Sequence, residues 1–502
     1  MDTKVVIVAV VAVVAVAGVA AFFLMNNNGS EEASYPDTYL TVLGNANEDL
    51  AVDGKDVSTI QKFIDDKVAE SSGYKYKDYY MYDANNDQVI DDKDVTMVKN
   101  MVAAQQSGDW KSVGKVYYVN VDYDIASYDM SKGNKVITLI APPLDTVLAI
   151  GGQDLVVGTD NRITTGKYHM EYMTTLDFDT LIDVGDCKEP DTEKITNASL
   201  QYGSVNVVCG TKNTYGPTME KTFEGTNVQV IRIASWEYGG TLYGLHTLGF
   251  LLKKGDEANA FYNEYMNIER EVQKIVKEVP GSKKSAGKVG AAACYGYLDE
   301  LSLLGEYTGE YANLMLLDPY DSATPFLGGQ SGGHGNTIDT EGILAMYQQY
   351  NLINLILMIG TPFQINSASG DAQSSIAYIE DLYDMWDKRI GTKSMENLNT
   401  CIAGYSFSSG VSEVLNQMIL CYYLYNEEFL AHFNCTTQAE AQDVLAGYVD
   451  WYCESIGIDD TWSFYGEDHG GKAGTYGMNL LYCGEGDERN ILYGLEEGSV
   501  PM

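Results

Sequence analysis

One stretch limits the architecture of this chain more than any other: residues 249–280 read GFLLKKGDEANAFYNEYMNIEREVQKIVKEVP. Apolar residues recur at Phe261, Tyr265, Ile268, Val272 and Ile275/Val276, steps of three and four that set one stripe along a helix. Pro280 and Gly281 stop it. On either side, short apolar strands alternate with helical patterns. The spacing predicts an α/β chain of two Rossmann-like lobes joined by one long helix, with a cleft between them.

A chain of 502 residues holds several domains, and 45% apolar content with 11% aromatics is ample for packed cores. The net charge of −39, with no basic cluster to offset it, argues against nucleic acid and anionic lipid as partners. Residues 5–25 are all apolar or glycine, long enough for a helix to cross a ~30 Å hydrocarbon core. Lys4 precedes this run and the next positive charge is Lys55, which keeps the N-terminus inside and sends the body out. Residues 1–25 read as a transmembrane anchor in preference to a cleaved signal, and residues 26–38 as a polar linker. Either reading exports the body to the cell surface. Eight cysteines lie scattered without CxxC spacing, and their pairing cannot be deduced from the sequence.

An internal repeat follows. NANEDLAVDGKD (45–56) and DANNDQVIDDKD (83–94) each precede a helical pattern. Oxygen side chains stand at loop positions one, three, five, nine and twelve: Asn45, Asn47, Asp49, Asp53 and Asp56, then Asp83, Asn85, Asp87, Asp91 and Asp94. With the backbone carbonyls of Ala51 and Val89 at position seven, this spacing wraps a chain around a hard cation. The pair, within residues 39–106, resembles a dockerin domain, a small all-α module with two Ca2+ sites. That resemblance implies docking to a cohesin-like surface protein. The sixth position, usually glycine, is Leu50 in one loop and Gln88 in the other, which predicts strain there and weakened Ca2+ affinity.

Strands are expected from 115 onward, and KVITLIAPPLDTVLAIGGQDLVVGTD (135–160) reads as strand, turn, short helix, strand. VNVVCG and VQVIRIAS repeat the near-continuous apolar runs of a parallel sheet covered on both faces. This order, followed by EPDTEKIT, by LGFLLKKGDEANAFYNEY and by KVGAAACYGYL, IDTEGILAMYQQYNLINLILMIG and CIAGYSFSSGVSEVLNQMIL, resembles the substrate-binding proteins of iron-complex and cobalamin ABC importers. The resemblance spans roughly 115–435. It implies an N-terminal lobe at 110–253, an interlobe helix at 254–280 and a C-terminal lobe at 281–502, whose part after about 437 has no family counterpart. It also implies a ligand between lobes that the helix keeps rather rigid, and delivery to an ABC permease. One acidic residue per lobe docks that permease in the family; Glu193 and Glu341 hold the matching positions.

In α/β sheets ligands bind beyond the carboxyl ends of the strands. The loops expected there carry Tyr168, Tyr215, Trp236, Tyr238, Tyr295, Tyr297, Phe363, Tyr405 and Phe407, suited to a flat macrocycle or aromatic chelate. Arg162 and Lys212 stand ready for its carboxylates or phosphates, and His169 for an open axial position on a metal, although a lone histidine is more often solvent-exposed or structurally bonded. His246, inside a helical pattern, reads as structural. GxSxG occurs at 329–333, with His334 and Asp339 behind it, but the preceding DPYDSATPFL is no strand for a nucleophile elbow. GSKKSAGK at 281–288 misses P-loop spacing. These patterns point to a solute-binding protein for an iron chelate, haem or corrinoid, without catalytic residues or a catalytic cofactor. The competing reading is a surface adhesion or scaffold protein acting through the Ca2+ repeat.

Overall fold

The computed structural model describes residues 39–492 except 165–174, 236–239, 285–288, 297–300, 306–307, 329–335, 360–371, 392–394, 405–409 and 459–478. The expected anchor at 5–25 and the linker lie outside these residues. Among the described residues no helix is long and apolar enough to cross a membrane. The chain divides into two compact units, one holding Tyr35–Tyr262 and Ser455–Gly457, the other Asn263–Glu454 and Ile458–Met502.

The first unit opens on the acidic repeat. Its two loops lead into α1 (Gly54–Asp65) and α2 (Asp92–Ser107), which pack on each other through Ile60 and Phe63 and through Val95, Val98 and Met101. Both helices start with a capping box: Asp53 with Asp56, and Asp91 with Asp94. The repeat is built into the unit rather than hung from it. Thr41 and Leu43 bond across to β1 (Lys115–Val119): the Val119 amide donates to the Thr41 carbonyl and the Leu43 amide to the Tyr117 carbonyl. Val42 faces Tyr118 in an antiparallel bridge. The other edge of β1 pairs with β2 (Ile125–Asp129), so these strands form a small antiparallel sheet separate from the parallel one.

The parallel sheet comprises β3 (Val136–Thr138), β4 (Val156–Thr159), β5 (Ile182–Asp183), β6 (Val205–Cys209) and β7 (Val228–Arg232). All neighbours run parallel, in the order β5-β4-β3-β6-β7. Every residue of β3, β4 and β6 is buried, which explains why these runs lack alternation. Helix α3 (Ala141–Ala149) carries Pro142 and Pro143 in its first turn, where a missing amide proton leaves nothing unpaired. Helix α4 (Thr192–Tyr202) precedes β6, and α5 (Thr241–Leu251) follows β7.

A corner divides the stretch 249–280. Residues 249–251 belong to α5, and Lys253 turns the chain at φ 65° before α6 (Gly255–Glu278), a helix of 24 residues. Gly249 explains the corner: a Cβ there would sit 2.6 Å from Cβ of Ala258, so only glycine lets the two helices approach. The boundary between the units falls inside α6, after Tyr262.

In the second unit, β8 (Gly290–Gly296), β9 (Leu301–Leu303), β10 (Tyr320–Asp321), β11 (Asn336–Ile338), β12 (Asn354–Ile359), β13 (Asn399–Gly404), β14 (Asn479–Tyr482) and β15 (Ile491–Leu492) form one mixed sheet. Parallel β8, β12 and β13 make its centre. The unit's longer helices include α7 (Gly309–Met315), α8 (Thr340–Gln349), α9 (Ala372–Gly391), α10 (Glu413–Leu424) and α11 (Gln438–Ile456). The C-terminal region extends the sheet: β14 pairs antiparallel with β13, and β15 with β14.

Candidate functional site at the carboxyl ends of the parallel strands

In the first unit the strand order reverses between β3 and β6, which places a switch point, and hence a crevice, at their carboxyl ends. Two buried charges that hydropathy patterning missed build the loops there. Asp160, just past β4, accepts the Ile140 amide at 2.7 Å and the Arg162 amide at 2.9 Å, tying the end of β3 to the end of β4. Ile140 is held at φ 74° by this arrangement, an uncommon conformation for a β-branched residue. Arg232, the last residue of β7, is only 1% exposed. Its guanidinium donates to the carbonyls of Gly210, Tyr215 and Gly216 at 2.8–3.0 Å and to both carboxylate oxygens of Glu220. Burial opposes ionisation of Glu220, yet the guanidinium holds that carboxyl below the usual range. The loop 209–218 is thus wrapped around one planar cation. A lone arginine inside the apolar run VQVIRIAS was the available signal.

Of the residues expected to meet a ligand, Arg162 lies half-buried at the carboxyl end of β4. Lys212 is engaged: its amide donates to Asp122 and its ammonium to Asp124, and this bond holds its pKa above the usual range. The ring of Tyr215 is 3% exposed and belongs to the unit's apolar core with Val207, Met219 and Phe223, so its burial supports a role in fixing the loop. Tyr295 lies on β8 opposite Ser302 and Met358. Tyr168, His169, Trp236, Tyr238, Tyr297, Phe363, Tyr405 and Phe407 lie outside the described residues, as do Ser331 and His334 of the GxSxG stretch. Asp339, near that stretch, caps α8 by accepting the Gly342 amide. His246 is buried against Tyr262, and burial lowers its pKa to about 4.

In the second unit the first turn of α10, which follows β13, carries a buried polar cluster. Glu413 accepts the Tyr265 hydroxyl at 3.1 Å, and Gln417 donates to Asn313 at 3.1 Å. Oε2 of Glu413 and Oε1 of Gln417, one turn apart, are buried without a hydrogen-bond partner. Burial pushes the Glu413 carboxyl up to about 8. The loop 403–410 drew attention for its aromatics; this cluster, a few residues on, did not.

Glu193 and Glu341 occupy matching places. Each is the second residue of its helix, exposed, two residues after a capping aspartate, Asp191 for α4 and Asp339 for α8. Such carboxylates also complement a helix dipole.

The two acidic loops share one hydrogen-bond plan. At position twelve, Asp56 accepts the amides of Asn47 and Asp53, and Asp94 those of Asn85 and Asp91. At position five, Asp49 accepts the Ala51 amide and Asp87 the Val89 amide. The sixth position separates them: Gln88 takes φ 68°, the strained conformation expected without glycine, whereas Leu50 is not among the positive-φ residues. In the first loop Asn45 is fully buried with Oδ1 lacking a partner, an oxygen suited to a hard cation. Burial raises Asp56 and Asp94 to about 6. Among the described residues, however, no three His, Cys, Asp or Glu side chains group as a metal site. Lys55 and Lys93 instead bridge positions five and nine, Lys93 at 3.1 Å from Asp87 and 3.4 Å from Asp91. The donor chemistry fits Ca2+, with lysine ammonium groups beside the carboxylates it would draw together.

No protein-family model matches the chain, and no curated protein matches it. Solved structures are similar in part. A TroA-like periplasmic binding protein from Veillonella parvula aligns at 13% identity and TM-score 0.48, over 62% of this chain and 90% of its own. The molybdate periplasmic binding protein of a Haemophilus influenzae ABC transporter aligns at 14% and 0.46, over 68% and 97%. A periplasmic heme binding protein from Pseudomonas aeruginosa aligns at 16% and 0.41, over 58% and 93%. All three are periplasmic binding proteins.

Proposed function

We propose that the chain is an extracytoplasmic solute-binding protein that captures an iron chelate, haem or corrinoid and hands it to an ABC permease. The observation that carries this reading is the chain's passage from one α/β unit to the next within a single uninterrupted helix, α6. The family that the sequence resembles has that connection. Loops at the carboxyl ends of the parallel strands supply the ligand site, with Arg162 as a polar contact and Arg232 fixing the loop 209–218 from within. Exposed Glu193 and Glu341 meet basic pockets on the permease, and residues 1–25 anchor the protein to the membrane. Ca2+ occupies the two acidic loops, where it neutralises buried Asp56 and Asp94 and displaces Lys55 and Lys93. Because the repeat pairs with β1, Ca2+ steadies the ligand-binding unit itself.

Thermal-shift screening of the full chain with haem, ferric chelates and cobalamin, with and without Ca2+, tests this. A ligand at about a thousandfold excess over Kd adds about 4 kcal/mol of stability, a shift of several degrees. No shift with any metal complex, together with tight binding to a cohesin-like protein, would favour the adhesion reading instead.

A further inference from the structure

The register between β13 and β14 pairs Ile402 with Tyr482 and Ala403 with Leu481. Continuing it by one residue sets Cys401 opposite Cys483. Both are buried, at 0% and 7% exposure, and both carry free thiols in the structure. Cys483 lies within electrostatic reach of the Cys401 thiol. The Cys483 amide does not bond across the strands but donates to Oδ1 of Asn490 at 2.6 Å. That marks a non-hydrogen-bonded position, where facing Cα atoms of an antiparallel pair approach to about 4.5 Å. A disulfide accepts Cα separations of about 4.4–6.8 Å. In the other described strand registers no cysteine faces a cysteine: Cys294 faces Leu303 and Leu357, and Cys209 faces Arg232.

We propose that Cys401 and Cys483 form a cross-strand disulfide that staples the C-terminal β14–β15 hairpin to the central sheet. The hairpin is two short strands at a sheet edge, about 80 residues along the chain from β13, and a covalent link closing so long a loop restricts the unfolded chain strongly. On the proposed extracytoplasmic location, the chain meets the oxidant for this step, a small-molecule or protein disulfide. The thiolate of Cys483 attacks that disulfide and expels one thiolate; Cys401, deprotonated, then attacks Sγ of Cys483 and expels the second. The two cysteines lose two protons and two electrons, and the oxidant becomes two thiols. Burial drives the Cys483 thiol up to about 12 and raises the Cys401 thiol as well, so the bond forms before the hairpin seats.

The test uses the full chain refolded with oxidised glutathione, alkylated in denaturant and digested without reduction. The expected result is one linked pair of peptides carrying Cys401 and Cys483, lost on reduction. Full alkylation of both residues, or a link from either to another cysteine, would overturn the proposal. Melting temperatures of oxidised and reduced protein give a second readout. Reduction should lower the wild-type value by several degrees and leave Cys401→Ala, Cys483→Ala and the double variant unmoved. Persistence of the redox-dependent shift in those variants would also overturn it. The peptide map needs no variant to fold.

Discussion

Replacing Arg232 by methionine, which keeps most of the volume, removes the cation around which the loop 209–218 is wrapped. Three carbonyl oxygens, of Gly210, Tyr215 and Gly216, lose their buried donor. An unsatisfied buried acceptor costs about 1–3 kcal/mol, and backbone relaxation toward water brings each to the low end of that range. Glu220 loses its partner as well, but its side chain is 43% exposed and rehydrates, so it adds little. The expected loss is therefore about 3–5 kcal/mol, in the range for breaking a buried charge pair from one side. Arg232→Lys keeps the charge but not the planar fork, so it recovers only part of the loss. Urea unfolding followed by fluorescence measures both variants, and ligand titration shows whether the loop's shape matters for binding. A loss below about 1 kcal/mol for Arg232→Met would refute the view that one guanidinium organises the loop.

Three further expectations concern other parts of the fold. Glu413 has a folded pKa of about 8 against an ordinary 4.5, so between those values the folded protein keeps a proton that the unfolded chain releases, and stability falls as pH rises through that window. Glu413→Gln should remove part of that slope, by an amount on the order of a few kcal/mol in total, while Glu269, raised to about 7, contributes the same in both proteins; identical pH profiles in unfolding experiments would count against it. Asp53→Ala and Asp91→Ala each remove a helix cap and should lower stability by about 1 kcal/mol in EDTA, and each should also blunt any Ca2+-dependent rise in melting temperature. Deleting residues 39–106 should destabilise the first unit, because it strips Thr41 and Leu43 from the edge of β1 and takes away the Thr41–Thr247 hydrogen bond and the Tyr39–Tyr243 ring contact; a truncated chain with unchanged unfolding behaviour would contradict this.

What the sequence revealed and what it concealed divide along physical lines. Continuous apolar runs marked the parallel strands because burial on both faces leaves no other composition, and the stripe from Phe261 to Val276 marked α6 because one helical face is buried. Residues 249–252 continue the apolar run toward α6, while the break between the two helices depends on the backbone turn at Lys253, which periodicity does not register. The third partner of the β1–β2 hairpin, at 41–43, depends on hydrogen bonds between segments more than seventy residues apart, for which local pattern carries no signal. The candidate site was legible as loops but not as chemistry. Aromatics announced themselves, whereas Asp160 and Glu413 act through burial that is visible only once the chain is folded, and Arg232 left one trace, a lone charge inside the apolar run VQVIRIAS. Lys212 shows the converse: a lysine in a polar loop invites a ligand until Asp122 and Asp124 are found beside it.

The central claim is that the chain binds a metal chelate, and the most direct measurement is an equilibrium titration of the full-length protein. Haem, a ferric catecholate, a ferric hydroxamate and cobalamin would each be followed by absorbance and tryptophan quenching. Saturable binding of one of these is expected at a single site per chain, weakened at least tenfold by Arg162→Ala or Arg232→Met. Absence of saturable binding by every metal complex in folded, Ca2+-supplied protein would contradict it.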